Sequence, residues 1–391
     1  SYEYLFDEWS WIKALNVSFC HLIETTLLPG LLGSTSFMTN PVISVVMSVF
    51  NGERFLSEAM SSILDQSYTR FEFIVINDGS TDRSDEILES YRSKDSRIQI
   101  VHQANCGLVD SLNRGCDLAR GEYIARMDAD DVAMRDRLMS QIRFMEMHPE
   151  VGVVGGDVEF IDANGRLLNI PKSPLIRRDY ARALLDRCVL WHPTVLMRKA
   201  TFISVGGYRN VVDAEDYDLW LRIAEQSRLA NLEEVLLRYR LHPGQVSAAR
   251  CKEQSLGALA ALTSARIRRS GSPDPLVSIQ KITPASLLSM GVDQRTLQTS
   301  IARGYLTWAR NMCRAGEYLP ALNMLHMVCS PAFERAERWT IAEAYLWTAR
   351  IYCHQRRFGK SLFSIGRAVI ARPIMLGRPI KPILNLFRTK E

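Results

Sequence analysis

The sequence predicts an α/β protein in which helices cover both faces of a mixed, mainly parallel sheet, followed by an all-α C-terminal region. Three observations carry this reading. Between residues 42 and 127, β-branched runs alternate with amphipathic helical patterns, and strand, helix, strand in succession implies right-handed crossovers and parallel pairing. From Val151 the chain alternates like a strand and then meets a tight-turn cluster, which brings mixed pairing into the second half of the sheet. Beyond Arg250 the strand signals stop.

Residues 42–49 form the first apolar run, and Phe55, Ala59 and Ile63 recur at helical spacing after Asn51-Gly52. A second buried strand, 71–76, ends in "NDGSTD", where Asp82 or Ser84 is placed to cap a helix through Leu88 and Tyr91. Residues 98–102 read as a strand, 108–118 as a helix and 123–127 as a fourth strand. A helix over 136–147 stops at His148-Pro149, "VGVVGGDVEFID" reads as a strand, and Ala163-Asn164-Gly165 turns the chain. "HPTVLMRK", "GGY", a helix through "DYDLWLRIAEQ" and the strand "VLLRYRLH" complete a domain spanning 41–249. In the helical region, 250–391, "YLTWARNMCRAGEYLPAL" from Tyr305 and "YLWTARIYCHQRRFGKSL" from Tyr345 repeat at an offset of 40. This resembles helix-turn-helix repeats of the tetratricopeptide type, with Gly316 in the turn; a generic helical bundle is the other reading. Two copies fall short of the roughly three that stabilise such an array, so the region is expected to pack on the preceding domain or on another subunit of a homo-oligomer.

The chain of 391 residues suffices for two or three domains, and its net charge of +5 is too small to point to a nucleic-acid partner. Eight scattered cysteines without metal-ligand spacing read as free thiols of a reducing cytoplasm. No run of 18 apolar residues occurs, since the best one, 17–32, is broken by His21 and Glu24, and no spanning helix is expected. "MTNPVISVV" reads like a start at Met38, and with the domain beginning at residue 41 the stretch 1–40 is expected to be an N-terminal extension; Ser1 following a removed initiator Met is the other reading, and Trp9, Trp11 and Phe19 suit an amphipathic helix on a membrane or partner. From Arg356 onward nine basic residues face one acid, Glu391, with apolar residues between them and prolines at 373, 379 and 382. An anionic membrane surface is one expected contact of this tail; a solvated basic end or an acidic partner is the other.

In an open parallel sheet, ligands bind beyond the carboxyl ends of the strands. Ser48 to Asn51, Asn77-Asp78 and Asp128 to Asp131 all fall there. Asp128 and Asp130 repel unless a cation lies between them, and hard oxygen ligands suit Mg²⁺ or Mn²⁺. Acidic residues after a strand also favour the start of a following helix, the role expected of Asp131. Asp78 is either an acceptor for a nucleobase imide or an Asx-turn residue. Asp216, at the head of its helix, is either an N-cap or a general base.

Taken together, "PVISVVMSVFNGERFLSEAMSSILDQSY", "FEFIVINDGSTDRS", "NCGLVDSLNRGCDLARGEYIARMDADD", "GGYR", "AEDYDLWLRIA" and "YRLHPGQVS" resemble the family 2 glycosyltransferases, inverting enzymes with the GT-A fold. The resemblance covers about residues 41–249, in family order. It implies a nucleotide-sugar donor, most often a UDP-sugar, whose diphosphate is held by Mg²⁺ or Mn²⁺. By position, Ser48, Asn51, Asp78 and Asp128 would bind the nucleotide, and Asp128, Asp130 and His242 the metal. Asp216 would be the catalytic base, with Gly206, Gly207, Glu215 and His192 on the acceptor side. Arg135 departs from the proline common at that point, a position that sets φ and does no chemistry. The implied function is transfer of a sugar to a hydroxyl of a glycan or lipid-linked glycan in surface polysaccharide synthesis, in the cytoplasm or peripherally at the inner face of the plasma membrane. The alternative is a helical scaffold with a degenerate enzyme domain. A nucleotidyltransferase shares the fold class and metal but not the Glu-Asp helix or "YRLH". The pocket that chooses sugar and acceptor is expected within 151–209.

Overall fold

The computed structural model describes residues 41–170, 179–245 and 249–372; the N-terminal extension and the tail 373–391 lie outside the described residues. Among the described residues, eight strands form one sheet in the order β3-β2-β1-β4-β7-β6-β8-β5. Its parallel half is β1 (Ile43–Val49), β2 (Phe71–Asp78), β3 (Ile98–Gln103) and β4 (Tyr123–Met127). The other half is β5 (Val132–Ala133), β6 (Val151–Ile161), β7 (Leu196–Arg198) and β8 (Arg228–Arg240); β7 pairs antiparallel to both β4 and β6, whereas β6 and β8 run parallel. Mixed pairing is therefore confined to this second half, as the turn signals led us to expect.

Alternation along β1 divides the core. Ile43, Val45 and Met47 face one apolar cluster with Leu56, Met60 and Ile63 of helix α1 (Leu56–Leu64), and Leu138 and Ile142 of a helix at Arg137–Met147. Val46 faces the opposite cluster with Leu112 and Trp220. Side chains two residues apart share a face of a strand, so one run supplies both layers. The N-cap residue, Arg83, makes no side-chain bond, but Asp82 Oδ1 accepts the amide of Ser84, the first residue of that helix, at 3.0 Å. Both side chains also reach the facing loop: Asp82 Oδ2 accepts from the Glu53 amide at 2.9 Å and Ser84 Oγ from the Gly52 amide at 2.9 Å.

Past Arg250 the described chain is helical. Helix α8 (Cys251–Arg269) sends Ala261 and Ala265 into the Trp220 cluster, and Gly257 lets it touch the Val212 backbone, since a Cβ there would collide with the Val212 carbonyl. The described residues from 41 to 372 accordingly fall within one compact unit, and at residue 250 the secondary structure changes from mixed to helical. Two helical hairpins follow, α10 (Gln294–Arg314) with α11 (Tyr318–Val328), and α12 (Arg338–His354) with α13 (Phe358–Ala371). Their turns match at the offset of 40. Gly316 and Arg356 both have positive φ, 85° and 58°, and the amides of Glu317 and Arg357 reach back to the carbonyls of Met312 and Tyr352 at 2.8 Å. That is the six-residue backbone closure of a left-handed helix end. No helix among the described residues is long and apolar enough to cross a membrane.

Candidate active site

The register of the parallel strands brings the polar strand ends together: Val49 lies beside Asn77 and Met47 beside Met127. A cavity of about 1500 Å³ lies beyond them, lined by Ser48, Asn51, Asp78, Asp128, Asp130, His192, Glu215, Asp216 and His242. Asn51 takes a left-handed backbone, φ 52°, that lets its Oδ1 accept the Thr81 amide at 2.8 Å while its own amide donates to Ser80 Oγ at 3.0 Å. The two loops are thereby laced into one wall. Asp78 is buried and accepts from Gln103 Nε2 at 2.8 Å and from the amides of Cys106 and Gly107 at 2.9 Å. Burial alone would raise its carboxyl; these bonds outweigh it and hold Asp78 below the ordinary carboxylate range.

The acid cluster is compact, with carboxylate oxygens of Asp128, Asp130 and Asp131 within 4.8 Å of one another. His242 Nε2 lies 3.0 Å from Asp130 Oδ2. The reason is β8, which pairs with β5 immediately after the cluster and carries "YRLH" alongside it. Asp131 corrects one expectation: it is buried and accepts the Arg240 amide at 2.8 Å, and the next helix begins six residues later, at Arg137. It anchors β8 and caps no helix. Burial, then repulsion from Asp130 and Asp128, pushes its carboxyl well up; burial likewise raises Asp128 against the pull of Arg126. Asp131 Oδ2 has no hydrogen-bond partner among the described residues. Crowded hard oxygens, one of them unsatisfied, with an imidazole at the edge, form a donor set that fits Mg²⁺ or Mn²⁺.

Glu215 and Asp216 begin helix α7 (Glu215–Ile223), whose N-cap is Ala214, so Asp216 is not the N-cap. Burial leads the upward shift of both, Asp216 to about 6 and Glu215 to about 8. Asp216 is therefore the more acidic member of the pair. His192 is bound to Tyr208 Oη at 2.8 Å, and burial holds its imidazole neutral, well below the usual range. Gly206 and Gly207 do not line the cavity among the described residues. Both have positive φ, 79° and 69°, and the Gly207 carbonyl accepts from Arg222 at 2.7 Å. Arg222 and Arg209 in turn bind the buried Asp218, which locks this turn to α7.

Two features escape a motif reading. Arg126, buried in β4, lies against Asp128 through Nη1, yet neither Nη1 nor Nε makes a directed hydrogen bond. It stands two residues before Asp128, so strand alternation alone places the two on one face. The other feature is the helical region's share of the cavity wall, Arg250, Gln254, Arg303 and Trp308. The pocket thus extends well beyond 151–209, and no local pattern announces it because it arises from the packing of α8 on α7.

The model of glycosyl transferase family 2 matches residues 44–203, which include the acid cluster. An uncharacterised glycosyltransferase of Haemophilus influenzae is 33% identical over 226 residues, 55% of this chain and 70% of that protein. The O-antigen biosynthesis glycosyltransferase WbnJ of Escherichia coli is 33% identical over 205 residues, 51% of this chain and 80% of that one. Among solved structures, S. aureus TarS 1-349 in complex with UDP-GlcNAc aligns at TM-score 0.48 and 16% identity over 83% of this chain and 90% of that chain. With 33% identity running through 70% and 80% of two such relatives, the chain belongs to glycosyl transferase family 2.

Proposed function

We propose that the chain transfers a sugar, with inversion, from a nucleotide diphosphate donor to a hydroxyl of a glycan or lipid-linked glycan. The observation that carries this reading is that Asp78, the acid cluster with His242, and the Glu215-Asp216 pair all line one cavity. Asp78 Oδ2 accepts a single bond, from Gly107, which leaves acceptor capacity for a pyrimidine imide N–H and favours a UDP-sugar. Ser48 and Asn51 stand beside the same nucleotide. Asp128, Asp130 and His242 would hold Mg²⁺ or Mn²⁺, which when bound supplies Lewis-acid stabilisation of charge on the departing diphosphate.

Asp216, ionised at neutral pH, takes the proton of the acceptor hydroxyl. The acceptor oxygen bonds to the anomeric carbon as the carbon–oxygen bond to the diphosphate breaks, and the electron pair leaves with the nucleotide. Protonated Glu215 orients the acceptor by donating a hydrogen bond, and neutral His192, fixed by Tyr208, contributes a second polar contact. Trp308 and Arg303 widen the acceptor side, where an indole face suits a sugar ring. The seven described cysteines carry free thiols, in keeping with a cytoplasmic enzyme of polysaccharide synthesis. A scaffold with a degenerate domain gains nothing from a site that keeps every carboxylate. A panel of nucleotide sugars, assayed with and without a chelator, tests the reading: we expect nucleotide release that the chelator abolishes and a product of inverted anomeric configuration by NMR. Retention of configuration would overturn the mechanism.

A further inference from the structure

Helix α13 is built the wrong way round for a helix that ends a packed array. The residues it buries are small, Ser361, Ser364 and Ala368, and Ser361 Oγ donates to the Ala349 carbonyl of α12 at 2.9 Å. Four of its six large apolar residues, Phe358, Leu362, Phe363 and Ile370, are exposed, while Ile365 and Val369 are half-buried. The 40-residue repeat shows what is missing. Leu322 of α11 is 7% exposed, whereas its equivalent in α13, Leu362, is 66% exposed. The second hairpin packs against α11, and nothing among the described residues packs on the outer face of α13.

At about 100° per residue, the exposed apolar side chains occupy one arc of the helix, Lys360 and Arg367 border one edge of it, where they also reach Tyr352 and Tyr345 of α12, and the small buried residues lie opposite. Arg356 and Arg357 precede the helix and Arg372 follows it, and the sequence holds no acid between Glu343 and Glu391. An outward apolar arc with cations along one edge and at both helix ends, and no acid near it, is the chemistry of an interfacial helix lying on anionic lipid. It is poor chemistry for a second copy of the chain, since a two-fold contact would set the same basic border against itself. We infer that α13 is a docking surface for an anionic bilayer, inserting Phe358, Leu362, Phe363 and Ile370 among the acyl chains and placing Lys360 and Arg367 at the headgroups. The inference is independent of which donor and acceptor the active site takes.

The test is co-sedimentation of the full chain with phosphatidylglycerol-containing and pure phosphatidylcholine vesicles. We expect at least tenfold tighter binding to the anionic vesicles, weakened by salt, and at least a tenfold loss in both Leu362→Glu/Phe363→Glu and Arg357→Glu/Lys360→Glu. Circular dichroism and thermal unfolding like those of the wild type would show the variants folded. Equal binding to both vesicles, no binding, or an apolar-face variant that binds as the wild type does would overturn the inference. So would a wild-type dimer that the apolar-face variant dissociates, which would assign this face to a second copy of the chain.

Discussion

Arg126 shares a strand face with Asp128, and its charge lowers the pKa of Asp128, Glu215 and Asp216, all of which burial raises. A base must be ionised to act, so kcat/KM is expected to fall as pH drops through about 6, where Asp216 takes up its proton, and not near the ordinary carboxylate value. Glu215 loses its proton at about 8, so a second, alkaline limb is expected there. Arg126→Met removes the lowering influence on Asp216 and is expected to move the acid limb to higher pH; a limb that stays in place would deny Arg126 this role. The carboxylates were legible as types in a pattern. Their different ionisation was not, because it depends on burial and on a cation that no spacing rule marks as part of the site. Asp131 was misread for a related reason: its partner, the Arg240 amide at 2.8 Å, lies 109 residues away.

Among the elements, the parallel strands β1 to β4 and their helices were legible because each is long enough to show its own period. β5 was not. It has two residues, defined only by pairing with Leu237 and Arg238 of β8, yet this contact is what brings His242 to Asp130. β8 begins at Arg228, before the apolar run that signals it, because its first half pairs with β6 through a polar stretch. The repeat in the helical region was legible down to the turn, but the second turn contains Arg356 where the first has glycine, both at positive φ. A left-handed backbone penalises a side chain, so Arg356→Gly is expected to raise stability to denaturant by on the order of 1 kcal/mol. Unchanged or reduced stability would mean that the Arg356 side chain compensates for its own strain.

In the whole molecule, the helical region completes the cavity: α8 packs on α7 and, with α10, contributes Arg250, Gln254, Arg303 and Trp308 to its wall. Composition separated the two regions at residue 250 but gave no sign of this, since tertiary packing between distant segments leaves no local period. Trp308→Ala is accordingly expected to raise the acceptor KM about tenfold while leaving the donor KM unchanged; an unaltered acceptor KM would remove the helical region from substrate recognition. The proposed reaction needs Asp216 as the base in a cavity that would also hold the nucleotide. The most direct test is Asp216→Asn, measured in parallel for transfer rate and for nucleotide affinity by calorimetry with Mn²⁺ present. Positioned general bases contribute about 10²- to 10⁴-fold, so transfer is expected to fall by that factor with nucleotide affinity preserved. Turnover near the wild-type rate would contradict the account.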